Sequence, residues 1–326
     1  MKNLILVLLL FLSLFSGKKN DGNFIDCEEM VLKTKAYQDT STILFSRKKD
    51  NDSGWSIYKI SPNGIDEEVI IPFKYGQGEY NPAIAPDGNT IMFNSYRYGG
   101  WKLAVYDTNT KEVSKISKKL NYYVNGVFSS DGKKIAYERN VERSTHIFVA
   151  NSDGTKEVNL TSEISNDNRA PSWNSNDTSI LFYYKKNRTN DIFAIDVRAK
   201  ITTNLTNNNS GNDFNPSISP NGKQVAFFSD RNGYLDVYVM DINGENQICL
   251  TRSLHNENNE YNYYTDSNVY WIFKVSWSPD GQYLVFSNIQ GDNIDLFTIK
   301  KDGTDLKQIT KTPKSEYTPV WGILKN

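Results

Sequence analysis

Asn215-Pro216-Ser217-Ile218-Ser219-Pro220-Asn221-Gly222 is followed by QVAFFSDRNG from Gln224, DVYVMD from Asp236, a turn at Asn243-Gly244 and QICLT ending at Thr251. This stretch holds four short apolar runs separated by turn residues, the pattern of a four-stranded antiparallel sheet. Between the first two runs, Pro presets one backbone angle and Gly supplies a residue able to take positive φ. Asn243-Gly244, between the third and fourth, is a strong short hairpin signal.

The same pattern returns at intervals of about 44 residues, the spacing of propeller blades. One copy begins NPAIAPDG at Asn81 and continues IMFNSYRYGG, KLAVYDT and VSKIS; others start near Asn125 (NGVFSSDG), Ala170 (APSWNSND) and Lys274 (KVSWSPDG). A first copy begins late, at Ile43, and lacks its opening strand, which reappears at the C-terminus as Thr318-Pro319-Val320-Trp321. One such sheet cannot bury both of its faces, so the copies must stack around an axis. Pairing of the C-terminal strand with the first copy closes the ring and removes exposed edges. The expected fold is all-β, a six-bladed propeller of four-stranded antiparallel blades over residues 43–326, with blade one completed by 318–321.

The landmarks SPDG, SDRNG followed by DVYVMD, and the late CLT or QIT make the chain resemble the TolB-type (WD40-like, PD40) propeller family over about residues 43–321. The copy at Asn174 to Asp177 departs from the SPDG landmark. Members of that family carry an α/β domain before the propeller, whereas only residues 18–42 stand here between the N-terminal apolar run and the first blade. The resemblance therefore implies a propeller-only relative, to which a Tol-Pal role does not transfer intact.

Residues 1–17 read as an export signal, with basic Lys2, an apolar run from Leu4 to Phe15, and small Ser16-Gly17. That run is too short for a spanning helix and nothing later approaches the length of one, so the mature chain is expected in the periplasm or secreted. Lys18 stands where a lipoprotein would carry its acylated cysteine, and a lipid anchor is the secondary reading. With 37 Lys and Arg against 38 Asp and Glu, there is no overall footprint for nucleic acid. Cys27 and Cys249 are the two cysteines, too few for a disulfide framework. A monomer is the expected state.

Catalytic equipment is sparse. His146 and His255 are the only histidines, and there is no Gly-x-Ser-x-Gly elbow. His146 stands near the start of a third strand, where Asp191, Asp236 and Asp295 stand in other copies, and reads as a structural substitution. Neither clustered histidine ligands nor an Asp-x-Asp-x-Asn calcium loop occurs. No cofactor is expected, although a calcium ion held by backbone carbonyls along the central channel stays open.

Chain direction places two sets of loops on one face around the channel mouth: those leading into the innermost strands, and those joining second to third strands. They carry Glu79, Tyr80, Arg169, Asp213, Phe214, Glu316 and Tyr317, and Arg97 and Arg231, respectively. Aromatics beside arginines are the material of protein-binding hot spots; the competing reading makes the arginines scaffold partners of nearby acids. A further candidate breaks the repeat: the insertion Arg252 to Phe273 contains Tyr261, Tyr263, Tyr264, Tyr270 and Trp271, and insertions of this kind map to one face of a propeller. The expected function is a non-enzymatic protein-interaction module of the bacterial cell envelope with an envelope protein as partner. The alternatives are a carbohydrate-active enzyme, which would need paired acids among Glu79, Asp213 and Glu316, or a glycan or small-ligand binder.

Overall fold

Every second strand of the repeat is apolar at consecutive positions, and the computed structural model shows why. It describes residues 41–49, 54–116, 122–164, 167–186, 188–207, 210–254 and 272–325. Blade one contains β1 (Ser41–Lys48), β2 (Trp55–Ile60) and β3 (Glu68–Ile71). Blade two is β4 (Glu79–Ile84), β5 (Thr90–Ser95), β6 (Lys102–Asp107) and β7 (Val113–Lys115). Blade three is β8 (Tyr123–Phe128), β9 (Lys134–Val141), β10 (Ser144–Asn151) and β11 (Val158–Asn159). Blade four is β12 (Asn168–Trp173), β13 (Ser179–Lys186), β14 (Thr189–Asp196) and β15 (Thr202–Asn204). Blade five is β16 (Asp213–Ile218), β17 (Gln224–Ser229), β18 (Asp236–Asp241) and β19 (Ile248–Cys249). Blade six is β20 (Val275–Trp277), β21 (Tyr283–Gln290), β22 (Asn293–Lys300) and β23 (Lys307–Gln308). The final strand, β24 (Tyr317–Ile323), pairs antiparallel with β1 and completes blade one, which closes the ring of six four-stranded sheets.

Because each sheet is covered on both faces, alternate residues of a second strand pack against opposite neighbours. Ile91 and Phe93 join Leu44 and Ile57 of blade one, while Met92 between them joins Tyr123 and Tyr137 of blade three. Likewise Ile180 and Phe182 pack on blade three, and Leu181 and Tyr183 on blade five. Burial of side chains of this size contributes about 1.5–3 kcal/mol each, and the core is therefore a series of seams between blades.

The recurring threonine of CLT and QIT has a backbone duty. Oγ1 of Thr161, Thr206, Thr251 and Thr310 accepts the amide of Ile147, Ile192, Val237 and Leu296 at 3.0, 3.1, 3.0 and 2.8 Å, holding the outer strand to the start of the third. Thr251 also donates to Asp236 at 2.7 Å. His146 occupies the same position in blade three, with Nδ1 2.9 Å from the Thr161 carbonyl. At the departure from SPDG, Asp177 takes the glycine's place with φ of 56°, and its amide still closes the turn on the Asn174 carbonyl at 3.1 Å.

A second repeat feature shapes the channel. Asn81, Asn125, Ala170 and Asn215, two or three residues into the innermost strands, all have positive φ and sit at register shifts. Asparagine tolerates this conformation better than most residues, and the resulting bulge re-aims the strand into the channel.

Candidate functional site

The loops leading into the innermost strands and those joining second to third strands do meet at one face, and ion pairs form between them. Glu79, at the start of β4, accepts from Arg97 Nε at 2.9 Å and Nη2 at 2.7 Å. Asp213 accepts from Arg231 Nη2 at 2.7 Å, and Glu316 from Arg47 Nη1 at 3.1 Å. All three carboxylates are fully buried. The arginines are further fixed by aromatic faces of their own blades: Arg47 lies 4.3 Å from the Tyr58 ring centroid and Arg231 4.8 Å from that of Tyr238. Each pair thus ties the start of an innermost strand to the second-to-third loop of the same blade. Arg169, more exposed, reaches Glu138 at 3.5 Å and Asp167 at 3.1 Å.

The aromatic residues divide differently. Phe214 is fully buried and stacks on Phe228 in the seam between blades, so it offers no accessible surface. Tyr80 is buried at the centre of a ring cluster: Trp55 meets Tyr80 at 4.9 Å and Tyr317 at 4.8 Å, and Trp101 meets Tyr80 at 6.4 Å and Tyr96 at 5.4 Å. Trp55, Tyr96, Trp101 and Tyr317 are only partly buried. Lys48 lies 5.2 Å from the Trp55 ring, and exposed Phe73 and Tyr75 stand on the loop that leads into β4. The result is an aromatic platform on the mouth side of blades one and two. Sequence reasoning picked out Tyr80 and Tyr317 and missed Trp55, Tyr96 and Trp101. The available signal was that Trp55 and Trp101 each begin or precede a third strand, at the mouth end.

Tyr261, Tyr263, Tyr264, Tyr270 and Trp271 lie outside the described residues. Of that insertion, Arg252–Leu254 forms a single 3-10 turn, and Phe273 is buried against Phe228 at 5.8 Å.

Inside the mouth, the six innermost strands enclose a cavity of about 210 Å³, lined by Asn81, Asn125, Arg169, Asn215, Lys274 and Thr318 among others. Lys274 Nζ donates to Asn81 Oδ1 at 3.1 Å and to the Pro82 carbonyl at 3.4 Å. Among the described residues no three His, Cys, Asp or Glu side chains gather as metal ligands, and no helix is long and apolar enough to cross a membrane.

The model of the TolB beta propeller domain family matches residues 37–207 and 167–272. The chain belongs to the TolB beta propeller family. Among curated proteins, the Tol-Pal system protein TolB of Anaeromyxobacter dehalogenans (strain 2CP-C) is 28% identical over 119 residues, 36% of this chain and 26% of that protein. Its counterpart in Anaeromyxobacter sp. (strain K) matches to the same extent. The match thus spans about a quarter of the length of these relatives. Among solved structures, TolB from Acinetobacter baumannii superposes with a TM-score of 0.74 at 16% identity, covering 90% of this chain and 71% of that one. Hydrazine synthase of Kuenenia stuttgartiensis superposes with a TM-score of 0.65 at 8% identity, covering 88% of this chain and 47% of that one. At such identities the likeness concerns the fold, and the same fold serves unrelated functions.

One titration in this TolB-family propeller bears on stability near neutral pH. Glu316 also accepts from Thr310 at 2.9 Å and Thr312 at 2.8 Å, and it shares a hydrogen bond with buried Asp295. Burial pushes Glu316 up to about 7, and Asp295 is raised as well. A carboxyl whose folded pKa lies above its unfolded one adds stability that is fully present below the unfolded value, near 4.5, and lost as pH rises through about 7. Asp295→Asn removes the competing acid while keeping a hydrogen-bonding partner. With that second raised carboxyl gone, the variant should lose less stability than wild type between pH 5 and pH 8, as read by urea unfolding at the two pH values.

Proposed function

We propose that the chain is a non-enzymatic interaction module of the bacterial cell envelope, exported to the periplasm or secreted, which binds a protein partner on the mouth face of its propeller. The observation that carries this reading is the platform of Trp55, Tyr96, Trp101 and Tyr317 around buried Tyr80. Large rigid rings that are partly exposed beside lysine and further aromatics are the anchors from which protein interfaces draw most of their energy. Membership of the TolB beta propeller family and the Tol-Pal names of the matching relatives support an envelope protein as the partner class.

A carbohydrate-active enzyme would need two acids facing one bond. Glu79 and Asp213 are each buried against an arginine of their own blade, and Glu316 against Arg47, Thr310, Thr312 and Asp295, which favours a scaffold role for these acids over paired catalysis. Crosslinking capture from envelope extract tests the reading, with wild type compared to Trp101→Ala. Loss of an aromatic anchor costs about 2 kcal/mol or more, a roughly thirtyfold weaker complex, so capture of the wild type's partner should fall below detection. Equal capture by both proteins, or saccharide turnover that vanishes on substitution at the mouth, would overturn it.

A further inference from the structure

Lys274 breaks the repeat at its most constrained position. In the other five blades the equivalent residues are Asn81, Asn125, Ala170, Asn215 and Thr318, each with φ between 50° and 56°. Lys274 is not among the residues of positive φ, and β20 pairs with β21 without the register shift seen in blades two to five. Its side chain instead crosses from blade six to blade two, where Nζ meets Asn81 Oδ1 and the Pro82 carbonyl. Of the three ammonium hydrogens, these neutral acceptors use two. No described carboxylate lies within ion-pairing range of Nζ, and burial alone lowers its pKa to about 8, which leaves it charged at neutral pH.

Two residues further along, a ring of equivalent positions faces the cavity: Ala83, Val127, Ser172, Ser217, Ser276 and Val320. The serines fall on consecutive blades four, five and six. Oγ of Ser172 and of Ser276 accepts a backbone amide, from Ile218 at 3.3 Å and Trp321 at 3.1 Å, so the hydroxyl hydrogens stay available to donate. Arg169, the other cation lining the cavity, is paired with Glu138 at 3.5 Å and with Asp167 at 3.1 Å. The Lys274 ammonium, with no described carboxylate in ion-pairing range, and several hydroxyl donors thus line one small cavity, the complement of a single anionic acceptor. A channel cation would be repelled by the same ammonium, which already holds the Pro82 carbonyl. About 210 Å³ falls below the range of drug-sized sites and suits a group of few atoms.

We propose that the channel binds a carboxylate, held by Lys274 Nζ with the hydroxyls of Ser172, Ser217 and Ser276, and supplied by a small free acid or by the C-terminus of a short peptide. This site is separate from the aromatic platform. Calorimetric titration of the full chain with acetate, succinate, and triglycine carrying a free or an amidated C-terminus tests it, with acetamide as the uncharged control. Saturable binding of at least one carboxylate probe and none of acetamide or the amide is expected; acetate or succinate alone identifies a small acid, triglycine a peptide terminus. Lys274→Asn restores the residue of blades two, three and five and is expected to fold, while Lys274→Met keeps the side-chain length. Each should weaken binding about ten- to hundredfold while leaving capture at the mouth unchanged. No binding of any carboxylate up to about 10 mM, an affinity weaker than the millimolar scale, overturns the proposal, as does equal binding by both variants. Loss of mouth capture in Trp101→Ala, with carboxylate binding intact, would keep the two sites distinct.

Discussion

Arg231→Met is expected to destabilise the propeller by about 3 kcal/mol, because removing one member of a buried ion pair strands the other without a partner charge. Asp213 is fully buried, and burial already raises its pKa although Arg231 stands 2.7 Å away. Ser229 and Gln247 lose the same guanidinium, from 2.9 and 2.6 Å. A thermal melt at pH 7 should show a fall of roughly 6–9 °C, taking about 2–3 °C per kcal/mol for a domain of this size. The result also separates two roles for the mouth arginines. If Arg231→Met melted like wild type yet lost its partner, the arginines would belong to the binding surface. A lower melting temperature, with capture retained below the transition, would assign them to the scaffold.

Gly78→Ala should cost a similar amount for a different reason. Gly78 has φ of 96°, and a Cβ there would run into the backbone N and O of Trp55, atoms that cannot yield as a flexible side chain would. The segment is held by Trp55 N on the Gln77 carbonyl and Tyr96 N on the Gly78 carbonyl, both at 2.9 Å, so the clash reaches the loops that place Trp55 and Tyr96 in the platform. Positive-φ strain contributes about 1–2 kcal/mol and the displaced backbone adds about as much again. Gly99→Ala serves as the control, since Gly99 has φ of 75° and nothing within 4 Å of its would-be Cβ. Both variants carry the positive-φ strain and only Gly78→Ala displaces backbone, so urea unfolding should find Gly78→Ala about 1–2 kcal/mol less stable than Gly99→Ala, with mouth capture weakened only in the former. Equal midpoints for the two would mean that the Gly78–Trp55 contact yields at no cost.

Much of the architecture was legible because propeller folding is decided over short distances in the chain. Pro-Asn-Gly and Asn-Gly carry their turn geometry wherever they stand. Apolar runs at consecutive positions announce strands covered on both faces. Even the closure of the ring could be read, since a blade short of one strand and a strand without a blade have one economical solution. His146 was recognisable as a structural residue from its repeat position, and the Thr161 carbonyl 2.9 Å away supplies the contact.

The tertiary structure alone decided which mouth residues are accessible. Glu79, Asp213 and Phe214 look alike in the sequence as polar or aromatic residues of surface loops, but the first two are consumed by arginines eighteen positions away and the third by a neighbouring blade. The platform draws Trp55, Tyr80, Trp101 and Tyr317 from four separate segments, and Lys274 meets Asn81 across 193 positions of chain. Repeats determine strands and turns through local conformational preference, whereas exposure and charge pairing depend on where ring closure brings distant segments together.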